Sequence, residues 1–146
     1  MEYKFYGADS PTVKPIKKEF YQIKDQRHLY ELLSDLWNKE TCAPRMRDEW
    51  SKDNPTRGQC SITAFIVQDV FGGEVYGIPL KEGGVHCFNR IGEVEFDLTS
   101  EQFGDTVLDY KNASIQSKEK HFSDIEKYHR FLLLENALLH KLIEMD

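Results

Sequence analysis

The stretch Arg57-Gly58-Gln59-Cys60-Ser61-Ile62-Thr63-Ala64-Phe65-Ile66-Val67-Gln68-Asp69-Val70-Phe71-Gly72-Gly73 decides the architecture, because its β-branched content suits a strand while its length suits a helix. The 12 residues from Cys60 to Phe71 carry no turn signal, and buried strands usually stop at about 4–8 residues. Gly72-Gly73 closes the run as a helix C-cap does. The reading is therefore a helix buried on most sides, with Cys60 at its first position. A cysteine placed there meets unpaired backbone N–H groups and the positive end of the helix dipole, both of which favour a thiolate.

Outward from this helix, Leu29, Leu32, Leu33, Leu36 and Trp37 recur at three- and four-residue steps and predict an amphipathic helix between Gln26 and Lys39. The intervening segment, TCAPRMRDEWSKDNPTRG, holds Pro44, Pro55 and Gly58 and reads as a long loop of the kind that often carries function. Residues 1–24, with Pro11 and Pro15 among aromatic and charged residues, read as a loose arm or edge segment. After the glycines, the runs EVYGIPL, VHCFNRI and EVEFDLT, separated by Gly83-Gly84 and Gly92, have the pattern of an antiparallel meander. A last helix is expected to open at Ser123, with Ser123 and Glu126 as a capping box and an apolar face of Ile125, Tyr128, Phe131, Leu132, Leu138, Leu139 and Leu142. The order helix, loop, helix, sheet, helix defines an α+β class within one domain spanning residues 1–146.

The formal net charge is −6 and no basic field is evident, so nucleic acid is not an expected partner. Arg45, Arg47, Lys52 and Arg57 flank the RGQC stretch, which leaves a local role in holding an anionic group open. No window approaches the ~18 apolar residues of a membrane span, and the first residues lack an export signal, so a cytoplasmic location without membrane association is expected. Cys42, Cys60 and Cys87 form an odd set, which makes a disulfide framework improbable. The chain carries no sequence signal of oligomeric state.

A two-residue turn at Ile91-Gly92 would set Arg90 opposite Glu93 and, counting back along both strands, His86 opposite Asp97 on one face. An orienting carboxylate there would hold the imidazole in one tautomer and stabilise its charged form. A turn displaced by one residue is expected to lose that register. Cys60 at the helix end, His86 and Asp97 then meet the requirements of a nucleophile, a general base and an orienting group, with backbone donors at the helix end available to an oxyanion. Cys42, Cys60, His86 and Cys87 are four residues of zinc-ligand type, but no CxxC pair occurs and His86 and Cys87, adjacent in a strand, should face opposite ways, so no metal is assigned. His28, His121, His129 and His140 read as surface residues.

The segments LWNKETCAPRMRDEW, NPTRGQCSITAFIVQDVFGGE, His86-Cys87-Phe88-Asn89 and EFDLTSEQF resemble the YunG-like family of small bacterial proteins, from about Leu36 to Phe103. By its order of Cys, His and Asp that family looks like a compact papain-like thiol hydrolase, near the transglutaminase-like and NlpC/P60-like enzymes. The resemblance implies a papain-like core, Cys60 as nucleophile, His86 as base and Asp97 as orienting group. Gln59 abuts the nucleophile rather than preceding it by several residues, so Asn54 or the loop at Trp50 stands beside it as a candidate oxyanion or substrate contact, with Asn89. Cys42 is expected either to pack against Trp50 or to serve as a resolving thiol for oxidised Cys60. The function implied is a cofactor-independent hydrolase or acyltransferase acting on an amide, thioester or peptide bond of a small molecule or peptide. The alternative is a noncatalytic binding module on the same scaffold.

Overall fold

The structure, a computed structural model, describes residues 2–145. Among the described residues, four α-helices and four strands form a mixed α+β arrangement: α1 Gln26–Ser34, α2 Cys60–Phe71, α3 Lys118–His121 and α4 Ile125–Glu144, with β1 Glu74–Pro79, β2 Val85–Ile91, β3 Val94–Phe96 and β4 Ser114–Ile115. The expected helix over residues 60–71 is present with those bounds, and eight of its residues, from Ile62 to Phe71, are buried. Burial on most sides explains the β-branched composition, because tertiary packing overrides a modest propensity deficit. α2 packs against β1, β2 and α4. Val67 and Val70 are fully buried within the main core, with Leu134 and Leu138 of α4.

α1 stops at Ser34, earlier than the apolar spacing suggests, although the amides of Leu36 and Trp37 still bond to Leu33 O. The Trp37 indole then donates to Thr63 Oγ1 at 2.9 Å, which ties this region to α2. α4 begins at Ile125 with Asp124 as its N-cap, accepting from Lys127 N. Ser123 instead donates to Lys120 O at the end of α3, so the expected capping box does not form. Ile125 is 66% exposed, and the buried face runs through Phe131, Leu134, Leu138 and Leu142. The opening segment is not loose: Phe5, Val13 and Phe20 are buried, and Tyr6 makes an isolated antiparallel bridge to Asp97.

The sheet is antiparallel in the order β3-β2-β1-β4, so the meander gains a short fourth strand beside β1. In the β2–β3 hairpin Ile91 pairs with Val94 and Asn89 with Phe96, which puts the turn at Gly92-Glu93. The expected direct pairing of His86 with Asp97 is therefore corrected. Moving a two-residue turn by one position slides the partners by two, so the face is preserved and the two residues become diagonal neighbours, within reach of a long imidazole. Cys87 and Asn89 face α2, where Asn89 Nδ2 donates to Ala64 O at 2.9 Å. On the other face, Phe88 packs with Ile78 and Tyr110 in a second apolar cluster.

The loop before α2 is fixed by a close approach. Gly58 has φ +73, and a Cβ there would lie 2.4 Å from Cys42 Sγ. Gly58→Ala is expected to lower stability by about 2 kcal/mol or more, read as a lower urea midpoint at unchanged slope. Combined with Cys42→Ala it should destabilise by less than the sum of the two single changes, because one clash is shared.

Candidate active site

The site forms where the start of α2 meets the start of β2. Cys60, half-buried, presents its Sγ 4.0 Å from Val85 O and 3.9 Å from Ser61 Oγ. From that position it meets both residues that follow Val85, although His86 and Cys87 point to opposite faces of the sheet. Gln59, the N-cap residue, makes no side-chain cap bond, so the first-turn amides keep their capacity to stabilise a negative charge.

His86 is fully buried, and its Nε2 donates to Asp97 Oδ2 at 2.6 Å. Nδ1 meets no partner at ordinary hydrogen-bond distance among the described residues, and the ring and the Cys60 thiol influence each other through both hydrogen bonding and charge. Asp97, also buried, accepts from Tyr110 Oη at 2.8 Å through the same oxygen. Its other oxygen accepts from Thr99 N at 3.1 Å and Thr99 Oγ1 at 3.3 Å. Tyr6 stacks on Tyr110 with ring centroids 3.7 Å apart, and Asp97 N donates to Tyr6 O at 2.9 Å. The opening segment thus holds the carboxylate in place. Phe103 meets the imidazole edge to face at 4.8 Å.

These contacts set the protonation states. Burial pulls His86 down, but the charge and hydrogen bond of Asp97, reinforced by Cys60, outweigh it and raise the imidazole to about 10. Cys60 is held well below the usual thiol range, first by a hydrogen bond from Cys87, against desolvation, and then by the hydrogen-bonding and charge influence of His86. Cys87 moves the opposite way, through its interaction with Cys60 and its own burial. Of these two thiols, Cys60 is the one favoured as thiolate: it sits at the helix end beside His86, whereas Cys87 lies in a strand and is 1% exposed. Burial and the Asp97 charge push the Tyr110 phenol up, which keeps it a donor.

Cys60 and His86 open onto a cavity of about 810 Å³ whose lining includes Ser61, Gln102, Phe103, His121 and Lys127. Gln102 ties the two halves of the site together: its Oε1 accepts from Gly58 N at 3.3 Å and its Nε2 donates to Thr99 O at 3.1 Å. The structure thus brings Cys60, His86 and Asp97 together.

The other four sequence candidates do not line the cavity. Gln59 is buried and its Nε2 is committed to Asn38 O at 3.0 Å. Trp50 donates through Nε1 to Pro55 O at 2.9 Å, Asn54 lies in the Ser51–Asn54 bridge, and Asn89 is turned toward α2. Cys42 is buried beneath Gly58, its thiol donating to Ala43 O at 3.5 Å; the thiol neighbouring Cys60 is Cys87. His121, read as a surface residue, is half-buried and lines the cavity. Tyr110 and Lys127 gave no sequence signal, whereas Gln102 belongs to the DLTSEQF segment and was visible there only as part of a resemblance.

The class this site and fold define is an α+β protein with a cysteine, histidine and aspartate assembled at a helix end. The chain belongs to the YunG family: the family model described as YunG protein matches residues 25–142. It is 32% identical over 97 residues to "Uncharacterized protein YunG" of Bacillus subtilis (strain 168), covering 66% of this chain and 77% of that protein. No solved structure matches. Among the described residues, no helix is long and apolar enough to cross a membrane.

Asp97→Asn removes the charge that raises His86, so the imidazole falls toward or below about 6.5 and no longer supports the thiolate. Alkylation of Cys60 at pH 6, followed by mass spectrometry, is expected to slow about tenfold or more. Cys87→Ala should slow it in the same direction by removing the neighbouring thiol, which favours the Cys60 thiolate.

Proposed function

We propose that the protein is a cysteine-dependent hydrolase or acyltransferase acting on an amide, thioester or peptide bond. The reading rests on one observation above the rest: His86 Nε2 is locked onto the buried Asp97 at 2.6 Å while Nδ1 is left uncommitted and the ring acts on the Cys60 thiol through hydrogen bonding and charge. A histidine needed only for packing does not require a carboxylate on one nitrogen and a depressed thiol near the other.

In this mechanism the Cys60 thiolate attacks the substrate carbonyl and forms a tetrahedral intermediate. The Nδ1–H of imidazolium His86 passes its proton to the leaving group as the intermediate collapses to an acyl-enzyme. Asp97 acts through Nε2, fixing the tautomer and ring orientation. With Gln59 Nε2 engaged by Asn38 O, the oxyanion falls to the first-turn amides of α2. Water or a second nucleophile, deprotonated by His86, then releases the acyl group. The order of a cysteine on a buried helix, a histidine on the next hairpin and an aspartate after it supports a compact papain-like relationship and one domain. A cavity of about 810 Å³ suits a small molecule or a peptide segment, and a soluble cytoplasmic enzyme without a cofactor fits this chemistry.

The test uses activated esters and thioesters with detection of acylated Cys60 by intact mass. The wild type is expected to accumulate one acyl group on Cys60, His86→Ala to acylate about 10²–10⁴-fold more slowly, and Cys60→Ala not to acylate. Acyl transfer that survives in Cys60→Ala, or a wild type inert to every acyl donor, contradicts the proposal and favours a binding module.

A further inference from the structure

The charged residues around the cavity divide into engaged and unengaged groups. Arg57 is tied to Glu49 at 2.9 Å and Arg130 to Glu126 at 2.8 Å, and both pairs line the cavity. Asp124 is occupied in capping α4 through Lys127 N at 3.3 Å, and Glu82 stands on the exposed β1–β2 turn. Two cations lining the same space, Lys127 and Arg45, have no carboxylate within ion-pair distance among the described residues.

Lys127 is not a loose surface lysine. It is half-buried, and its Nζ donates to His121 Nδ1 at 3.1 Å, while His121 Nε2 meets Gln116 Oε1 at 2.8 Å. Accepting at Nδ1 and donating at Nε2 makes His121 the neutral tautomer, consistent with burial and the Lys127 charge holding it below its ordinary range. The ammonium keeps further N–H donors for the cavity. Arg45 projects from the Pro44–Glu49 turn, its Nη2 3.8 Å from where a Cβ on Gly84 would stand. The Arg47–Glu126 contact at 3.7 Å joins that turn to the first turn of α4, so both cations border one space.

We propose that the substrate carries an anionic group, a carboxylate or its equivalent, near the reacting carbonyl, and that Lys127 and Arg45 bind it. This inference rests on the reading of Cys60 as the nucleophile. It assigns a role to part of the basic set around RGQC that the catalytic residues leave unexplained. In a chain of net charge −6, such a local pair favours an anion over a neutral analogue by selective contact and not by overall attraction.

Two alkylating probes of nearly equal size test it without a known substrate. Iodoacetate and iodoacetamide both react by thiolate attack on the CH₂ carbon, forming the S–C bond as iodide leaves with the C–I electron pair, and they differ in one charge. The ratio of their rates at Cys60 cancels the thiolate fraction, and dividing by the same ratio for a free thiol without a carboxylate, N-acetylcysteinamide, removes the reagents' intrinsic difference. In the wild type that quotient is expected to be about tenfold above one. It should fall severalfold in Lys127→Met and in Arg45→Gln, and in wild type at 1 M salt. A quotient near one in the wild type, or one unchanged in both variants, overturns the anion site while leaving the nucleophile standing. A Cys60 inert to both reagents overturns the nucleophile reading and this inference with it.

Discussion

The contact on which the rest of the site depends is the buried hydrogen bond from His86 Nε2 to Asp97 Oδ2. Both side chains are at most 1% exposed, and a charged pair removed from water to that degree persists only if its remaining polar capacity is filled. Asp97 is satisfied by Tyr110 and by the backbone and hydroxyl of Thr99. Much of the surrounding architecture follows from that requirement: Tyr110 crosses the face of the sheet opposite α2, Tyr6 stacks on it, and the opening segment binds the backbone of Asp97.

With Asp97 so held, the imidazole has one nitrogen committed and the other free, and its charge becomes available to Cys60. The helix end, the Cys87 thiol and the imidazolium then act in one direction on a sulfur that burial alone would keep protonated. Gln102 links the loop before Cys60 to the turn after Asp97, so segments carrying Cys60 and Asp97, 37 residues apart in the sequence, are tied through one side chain.

The sequence carried the parts of this arrangement that depend on local pattern. The length of the Cys60–Phe71 run and its closing glycines identified the helix, and strand alternation put His86 and Asp97 on one face even though the turn lay one residue further along, because a slide of two positions preserves side-chain direction. It did not carry contacts made between distant segments. Nothing about Tyr110, isolated in a polar stretch, announces a bond to Asp97. Alternation along β2 turns Cys87 away from His86, yet a residue at the end of a helix can touch both sides of a strand start. Gln59 and Asn89 were attractive by chemistry and proximity, and both amides are used to hold backbone carbonyls. The opening segment looked loose from its prolines because its anchors, Phe5 and Tyr6, are single residues without periodicity.

The most direct test of the account is titration of thiolate absorbance near 240 nm in the wild type, Cys60→Ser and His86→Ala. The account predicts a thiolate in the wild type at pH 6 that is missing from Cys60→Ser and displaced to at least about 8.5 in His86→Ala. A wild-type chain with no thiolate below pH 8, or one whose thiolate is indifferent to His86, would contradict it.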